Sequence, residues 1–253
     1  AIKVASLYSG VPSPIIVTSP ASAETIKYAA NAFLATKLSY VNAIAAICEG
    51  VGADVNDVIL GLGYDRRIGP EFLRPGPGWG GSCFPKDTRA LVQIAKSAGY
   101  EFELLTGVID VNEEQFARVI EKIRRAVGGE LAGQKVAVWG LTFKAGTDDL
   151  RESPALRIVE SLINEGALVH AYDPTVTEHH SVIPPAVVIG TDPKEVCREA
   201  DVIVLLTEWD KFRWVSPGDV ADLMVGRAVV DTRNILDRSD WIRHGFAYQG
   251  IGC

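Results

Sequence analysis

Between about Ala23 and Gly50 the chain carries no proline or glycine, while Ile26, Ala30, Phe33, Val41, Ile44 and Ile47 recur at helical spacing. A run of this length and periodicity predicts a long, strongly apolar helix. Ser19 before Pro20, or Ser22 shortly after, is positioned to cap it, because proline is tolerated at the first helical position. Such a helix needs cover along much of its surface, either from the rest of the chain or from a second copy. Asp54 opens another helix, with Val55, Val58, Ile59 and Leu62 on one face and Gly61 and Gly63 closing it. Two further helices are expected from Lys86 to about Gly99 and from Leu104 to Val127.

Gly128-Gly129 marks a break, and beyond it the periodicity changes. Lys135–Trp139, Ala167–Tyr172, Asp201–Leu206 and Arg227–Asp231 are short apolar runs separated by helical or irregular stretches, among them a helix from Ser153-Pro154 to about Glu165. Strands alternating with helices argue for βαβ units and a parallel sheet. The expected fold is therefore α/β: a helical domain over residues 21–128 followed by a Rossmann-like parallel-sheet domain over 129–253. Residues 1–20 read as a strand at Pro14–Val17 and its exit, the end of something longer, since the chain has no initiator Met.

Composition limits the function. Hydrophobic residues at 47% and charged residues at 23% are those of a globular chain, which excludes disorder. A net charge of −7 with no long basic block argues against nucleic acid as a partner. No apolar run approaches the ~20 residues that cross a bilayer. Four scattered cysteines without CxxC spacing make neither a disulfide framework nor a zinc site, so a reducing, cytoplasmic setting is expected. The adjacent pair His179-His180 is no metal motif, and His170 and His244 read as structural.

The chemistry concentrates in one irregular segment, RRIGPEFLRPGPGWGGSCFPKD, too long for a connection without purpose. Cys83 lies where a helix begins, a place that favours thiolate, with Lys86 adding positive charge and Asp87 able to take or deliver a proton. An inert buried cysteine is the commoner fate, and Cys48 and Cys197 are assigned to it. Gly76–Gly81 matches GxGxxG literally, but no strand precedes it, so it is not read as a dinucleotide fingerprint. Lys144 and Arg151 follow the first strand of the sheet, where a nucleotide phosphate can be held. Lys27 and Asn31 lie one turn apart on one helix face, a pairing that suits oxyanion stabilisation as well as plain surface exposure.

Three separated stretches, AETIKYAANAFLATKLSYVNAIAAICEGVGADV, FLRPGPGWGGSCFPKDTRAL and GLTFKAGTDDLRESPA, resemble the nucleotide-sugar dehydrogenase family in the right order. The loop GSCFPKD resembles the members acting on UDP-glucose, with GDP-mannose as the competing substrate. The resemblance implies an N-terminal NAD-binding domain, a helical domain that forms a homodimer, and a C-terminal domain that binds the UDP moiety. It implies oxidation of the sugar C6 from alcohol to acid with two NAD. It assigns Cys83 as nucleophile, Lys27 and Asn31 as the oxyanion-stabilising pair, and Asp87 as the group that orients or activates water. Phe72, Leu73 and Gly80 resemble the loop around the UDP-sugar, with Phe143 and Lys144 opposite. Arg67 matches a substrate arginine donated by the partner subunit, Arg151 one that reaches the cofactor pyrophosphate, and Arg233 a further substrate arginine. The family's glycine-rich NAD domain has no counterpart here, so residues 1–20 are expected to be its remnant. A truncated enzyme that oxidises nothing unaided is expected, against the alternative of a stand-alone UDP-sugar-binding dimer module.

Overall fold

The computed structural model describes residues 2–178 and 180–253, so the expectation for His179 lies outside the described residues. The first half is helical: α1 (Ile2–Leu7), α2 (Pro20–Val51), α3 (Val55–Tyr64), α4 (Phe84–Ser97) and α5 (Glu103–Ala126). Helix α2 runs 32 residues, capped by the Ser19 hydroxyl, which accepts from Ser22 N at 3.2 Å, with Pro20 in its first turn. Asp54 caps α3 by accepting from Asn56 N, but that helix passes through Gly61 and Gly63 and ends at Tyr64. Two glycines weaken a helix without stopping it when Val58, Ile59 and Leu62 still have a face to bury.

The expected strand at Pro14–Val17 is absent. These residues are irregular and exposed, with Ile16 at 73%. A strand needs a neighbouring backbone to pair with, and nothing in this part of the chain supplies one. The residues before them form α1 instead.

The second half follows the expected alternation: β1 (Lys135–Trp139), α6 (Pro154–Asn164), β2 (Leu168–Tyr172), β3 (Val188–Ile189), β4 (Val202–Leu205), α7 (Asp210–Arg213), α8 (Pro217–Ala221), β5 (Ala228–Asp231), α9 (Arg238–Arg243) and β6 (Ala247–Gln249). Six strands, two more than the sequence suggests, form one all-parallel sheet in the order β3-β2-β1-β4-β5-β6. Strands β3 and β6 have two and three residues, too few to show an apolar run. The order reverses direction between β1 and β4, which opens a crevice at their carboxyl ends.

The halves share a core. Ala45 and Cys48 of α2, with Phe116, Val119, Ile120 and Ile123 of α5, pack in the same cluster as Val136, Val138, Val204 and Val230 of the sheet. The chain end returns to the helices: Val55 N donates to Gly252 O at 2.9 Å, and Gly252 N to Glu49 Oε1 at 2.7 Å. The opposite sheet face buries Trp139 against Phe212 and Trp241. Cys48 and Cys197 are buried as expected, though Cys197 sits in a short 3-10 turn, its thiol pushed up to about 12 by burial.

Candidate active site

The segment from Gly76 to Cys83 has no regular structure, so side chains of the helices beneath must satisfy its backbone. They come in pairs three residues apart. Asn42 Oδ1 accepts from Gly76 N at 2.8 Å, and Gln115 Nε2 donates to Gly76 O at 2.7 Å. Asn112 holds Trp79 from both sides, accepting from its N at 2.8 Å and donating to its O at 3.0 Å. The Trp79 indole donates to Ser39 Oγ at 2.8 Å. Ser39, Asn42, Asn112 and Gln115 are all buried. These groups occupy the backbone of Gly76 and Trp79, and no strand precedes the segment, as a dinucleotide fingerprint requires. The sequence reading missed the four residues; their signal was a polar i,i+3 pair on the core face of each helix.

The loop then passes under the sheet half. Gly81 N donates to Glu152 O at 3.0 Å, and a Cβ at Gly80 would lie 2.1 Å from that carbonyl and 2.8 Å from Pro154 Cδ. Only glycine fits there. Gly81, at φ +80°, rests against the Phe143 ring, over which Lys144 Nζ stands at 5.3 Å.

Cys83 follows as the N-cap of α4, exposed, with its Sγ 3.8 Å from Ser82 Oγ. One turn on, Asp87 donates its backbone N–H to Cys83 O. Its side chain is only 1% exposed and gathers three donors: Lys27 Nζ at 2.5 Å, Asn31 Nδ2 at 2.6 Å and Lys86 Nζ at 2.7 Å. Burial alone would raise this carboxyl, but the bonds from Lys27, Lys86 and Asn31 outweigh it and hold it at about 2. Asp87 is therefore a carboxylate at neutral pH, better suited to fixing Lys27 and Asn31 than to taking a proton. Cys83, Lys86, Arg89 and Arg151 line an open cleft of about 610 Å³. Arg151 is held by Asp149 through bonds of 2.9 and 2.8 Å, and Asp149 is drawn down to about 2 by that guanidinium.

The remaining sequence candidates are spread more widely. Phe72 is half exposed at φ +60°, its ring 6.4 Å from that of Phe84, whereas the Leu73 side chain is buried. Arg67 points into solvent on the α3–α4 connection, chelated by Asp65, and is not joined to the Cys83 cluster. Arg233, 18% exposed after β5, lies over Gly76: a Cβ there would be 3.2 Å from its Nη1. Burial lowers this arginine, against the pull of Glu208 and Asp231.

Two loops at the sheet's carboxyl end are tied by buried aspartates. Asp173 Oδ2 accepts from Leu141 N, Thr142 N, Thr142 Oγ1 and Trp209 Nε1. Asp231 accepts from Arg233 N, Ile235 N, Leu236 N and the Tyr248 hydroxyl, and burial raises it despite these bonds. Among the described residues no group of His, Cys, Asp and Glu is arranged to hold a metal ion, and no helix is long and apolar enough to cross a membrane.

The structure thus docks a helical half carrying a cysteine loop on a six-stranded parallel sheet, and comparison with known proteins identifies both parts. Residues 21–114 match the central domain of the UDP-glucose/GDP-mannose dehydrogenase family, and residues 137–238 match its UDP binding domain. The chain belongs to that family. It is 44% identical over 240 residues to a UDP-glucose 6-dehydrogenase of Rhizobium meliloti (strain 1021), covering 95% of this chain and 55% of the relative. It is also 44% identical over 250 residues to the UDP-glucose 6-dehydrogenase TuaD of Bacillus subtilis (strain 168), covering 98% and 54%. A UDP-glucose dehydrogenase structure from Pyrobaculum islandicum superposes with a TM-score of 0.87 at 32% identity, over all of this chain and 57% of the other. The chain thus spans about half the length of the curated relatives it matches.

Proposed function

We propose that the protein to which this chain belongs oxidises the C6 hydroxyl of UDP-glucose to a carboxylate, with two NAD as hydride acceptors. The observation that carries this reading is the exposed Cys83 thiol one turn from a buried carboxylate that holds Lys27 and Asn31 together. A first oxidation yields the C6 aldehyde. Thiolate addition then makes a thiohemiacetal, whose oxyanion the Lys27 ammonium and Asn31 amide stabilise. A second hydride loss gives a thioester on Cys83, and water cleaves it to the acid and the free thiol. Asp87 orients the donors and the attacking water; held at about 2, it stays ionised throughout.

NAD supplies the hydride acceptor; within this chain Arg151, a cation on the wall of the Cys83 cleft, suits its pyrophosphate. The UDP-sugar would lie between the two halves. Phe72, Leu73 and Gly80 bound it from the helical side, with Phe143, Lys144 and Arg233 at the sheet's carboxyl end. A homodimer completes the proposal. Ile26, Phe33, Tyr40 and Ile47 repeat every seven residues along α2 and are 53–66% exposed, the pattern of a helix-pair seam. Arg67, exposed and held by Asp65, suits a substrate arginine that reaches a partner's sugar site.

The test is NADH formation by the full-length protein with UDP-glucose, GDP-mannose or UDP-N-acetylmannosamine. UDP-glucose is the expected substrate, and Cys83→Ala is expected to abolish acid formation. Turnover by that variant would overturn the mechanism, and preference for another sugar nucleotide would overturn the substrate.

A further inference from the structure

At the carboxyl ends of β4 and β5, Glu208 and Arg233 make an ion pair of unusual geometry. Glu208 Oε2 is 3.1 Å from Arg233 Nε, yet that Nε–H is directed at Leu206 O, 2.9 Å away. Oε2 is consequently buried with no hydrogen-bond partner. Buried orphan acceptors are uncommon and cost stability, so one retained beside an arginine calls for a reason. The outer atoms supply it. Among the described residues Oε1 of Glu208 and both Nη atoms of Arg233 have no hydrogen-bond partner, and none of them is a buried orphan, so all three are open to solvent. The Arg233 guanidinium sits beside Gly76, whose bare Cα leaves it room.

A carboxylate next to a guanidinium neutralises it locally and makes it a poor seat for phosphate. The same pair is a good reader of a sugar diol, because each hydroxyl donates one bond and accepts another. We propose that Glu208 is a specificity-determining residue that accepts a hydrogen bond from a hydroxyl of the bound nucleotide sugar while Arg233 donates to the same or the adjacent hydroxyl. This deepens the functional reading above and rests on it.

The experiment is calorimetric titration of the full-length protein and its Glu208→Gln and Glu208→Asp variants. The ligands are UDP-glucose and a set of its monodeoxy analogues, on the ribose and on the hexose. Loss of one charge-assisted bond is expected to weaken UDP-glucose binding by Glu208→Gln about 10-fold. One analogue should bind the wild type about as weakly and show no further loss in that variant. Glu208→Asp, which keeps the carboxylate, should still discriminate against that analogue. An equal loss on every ligand, or no loss on any, overturns the proposal while leaving the functional reading intact. Failure of the wild type to bind any UDP-sugar overturns both.

Discussion

The helical half and the sheet half hold their functional loops by different means. In the helical half, the loop ahead of Cys83 is gripped by neutral amides and a hydroxyl, Asn42, Asn112, Gln115 and Ser39, projecting from α2 and α5. In the sheet half, loops leave strand ends and are gathered by single buried carboxylates, Asp173 and Asp231, each accepting several backbone N–H groups. A loop leaving a strand end can turn several of its amides toward one carboxylate, as residues 233–236 do toward Asp231, so one anion can serve several. The flank of a helix presents no free amides, so the loop peptides lying across α2 and α5 are met by individual side chains. Among the described residues, the one charged side chain buried in the helical half, Asp87, is bound by two side-chain cations and an amide instead.

The largest consequence of this contrast is expected at Asp231. Asp231→Ala strands three backbone N–H groups and a tyrosine hydroxyl at once, and should cost about 3 kcal/mol in thermal or urea unfolding. Asn112→Ala removes two bonds to one residue, Trp79, and should cost about 1–2 kcal/mol. Near-equal losses would break the comparison. A smaller effect separates the two kinds of carboxylate by pH. Asp87 has a folded value of about 2 against an ordinary 3.8, so its contribution is complete above pH ~4 and is lost as pH falls toward 2. Asp231 is raised, so the folded state holds its proton more tightly and its ionisation lowers stability as pH rises. Asp87→Asn should flatten the acid limb of the stability–pH curve below pH ~4, read from urea midpoints. An unchanged limb would remove Asp87 as its source.

Much of the architecture is legible before folding. The Gly/Pro-free run needs a long helix, and the short apolar strands beyond Gly128 need a parallel sheet, because local periodicity and the lack of breakers act over a few residues. Ser19, one of the two serines the sequence offers, caps α2, and Asp54 and Ser153 stand at the helix starts expected of them. Pro14–Val17 shows the limit. Its β-branched run is strand-like, but a strand exists only beside another, and this one has no neighbour. Strands β3 and β6 are the reverse case, too short to read alone and formed because β2 and β5 offer free edges.

At the site, Cys83, Lys86 and Asp87 are apparent from spacing because they share one turn. Lys27 and Asn31 also share a helix face, but nothing local tells that face what it meets. Only the packing of α2 against α4 carries Lys27 and Asn31, some sixty residues away in sequence, onto Asp87. The same holds for Glu152 over Gly80 and for Arg233 over Gly76. Short segments of sequence are enough for the long helices, for the four longer strands and for bringing Cys83, Lys86 and Asp87 into one turn, since propensity, capping and spacing are local properties. The tertiary structure alone decided which charges neutralise one another, because electrostatic and hydrogen-bond energies fall within a few ångströms and depend on distances that no spacing along the chain contains.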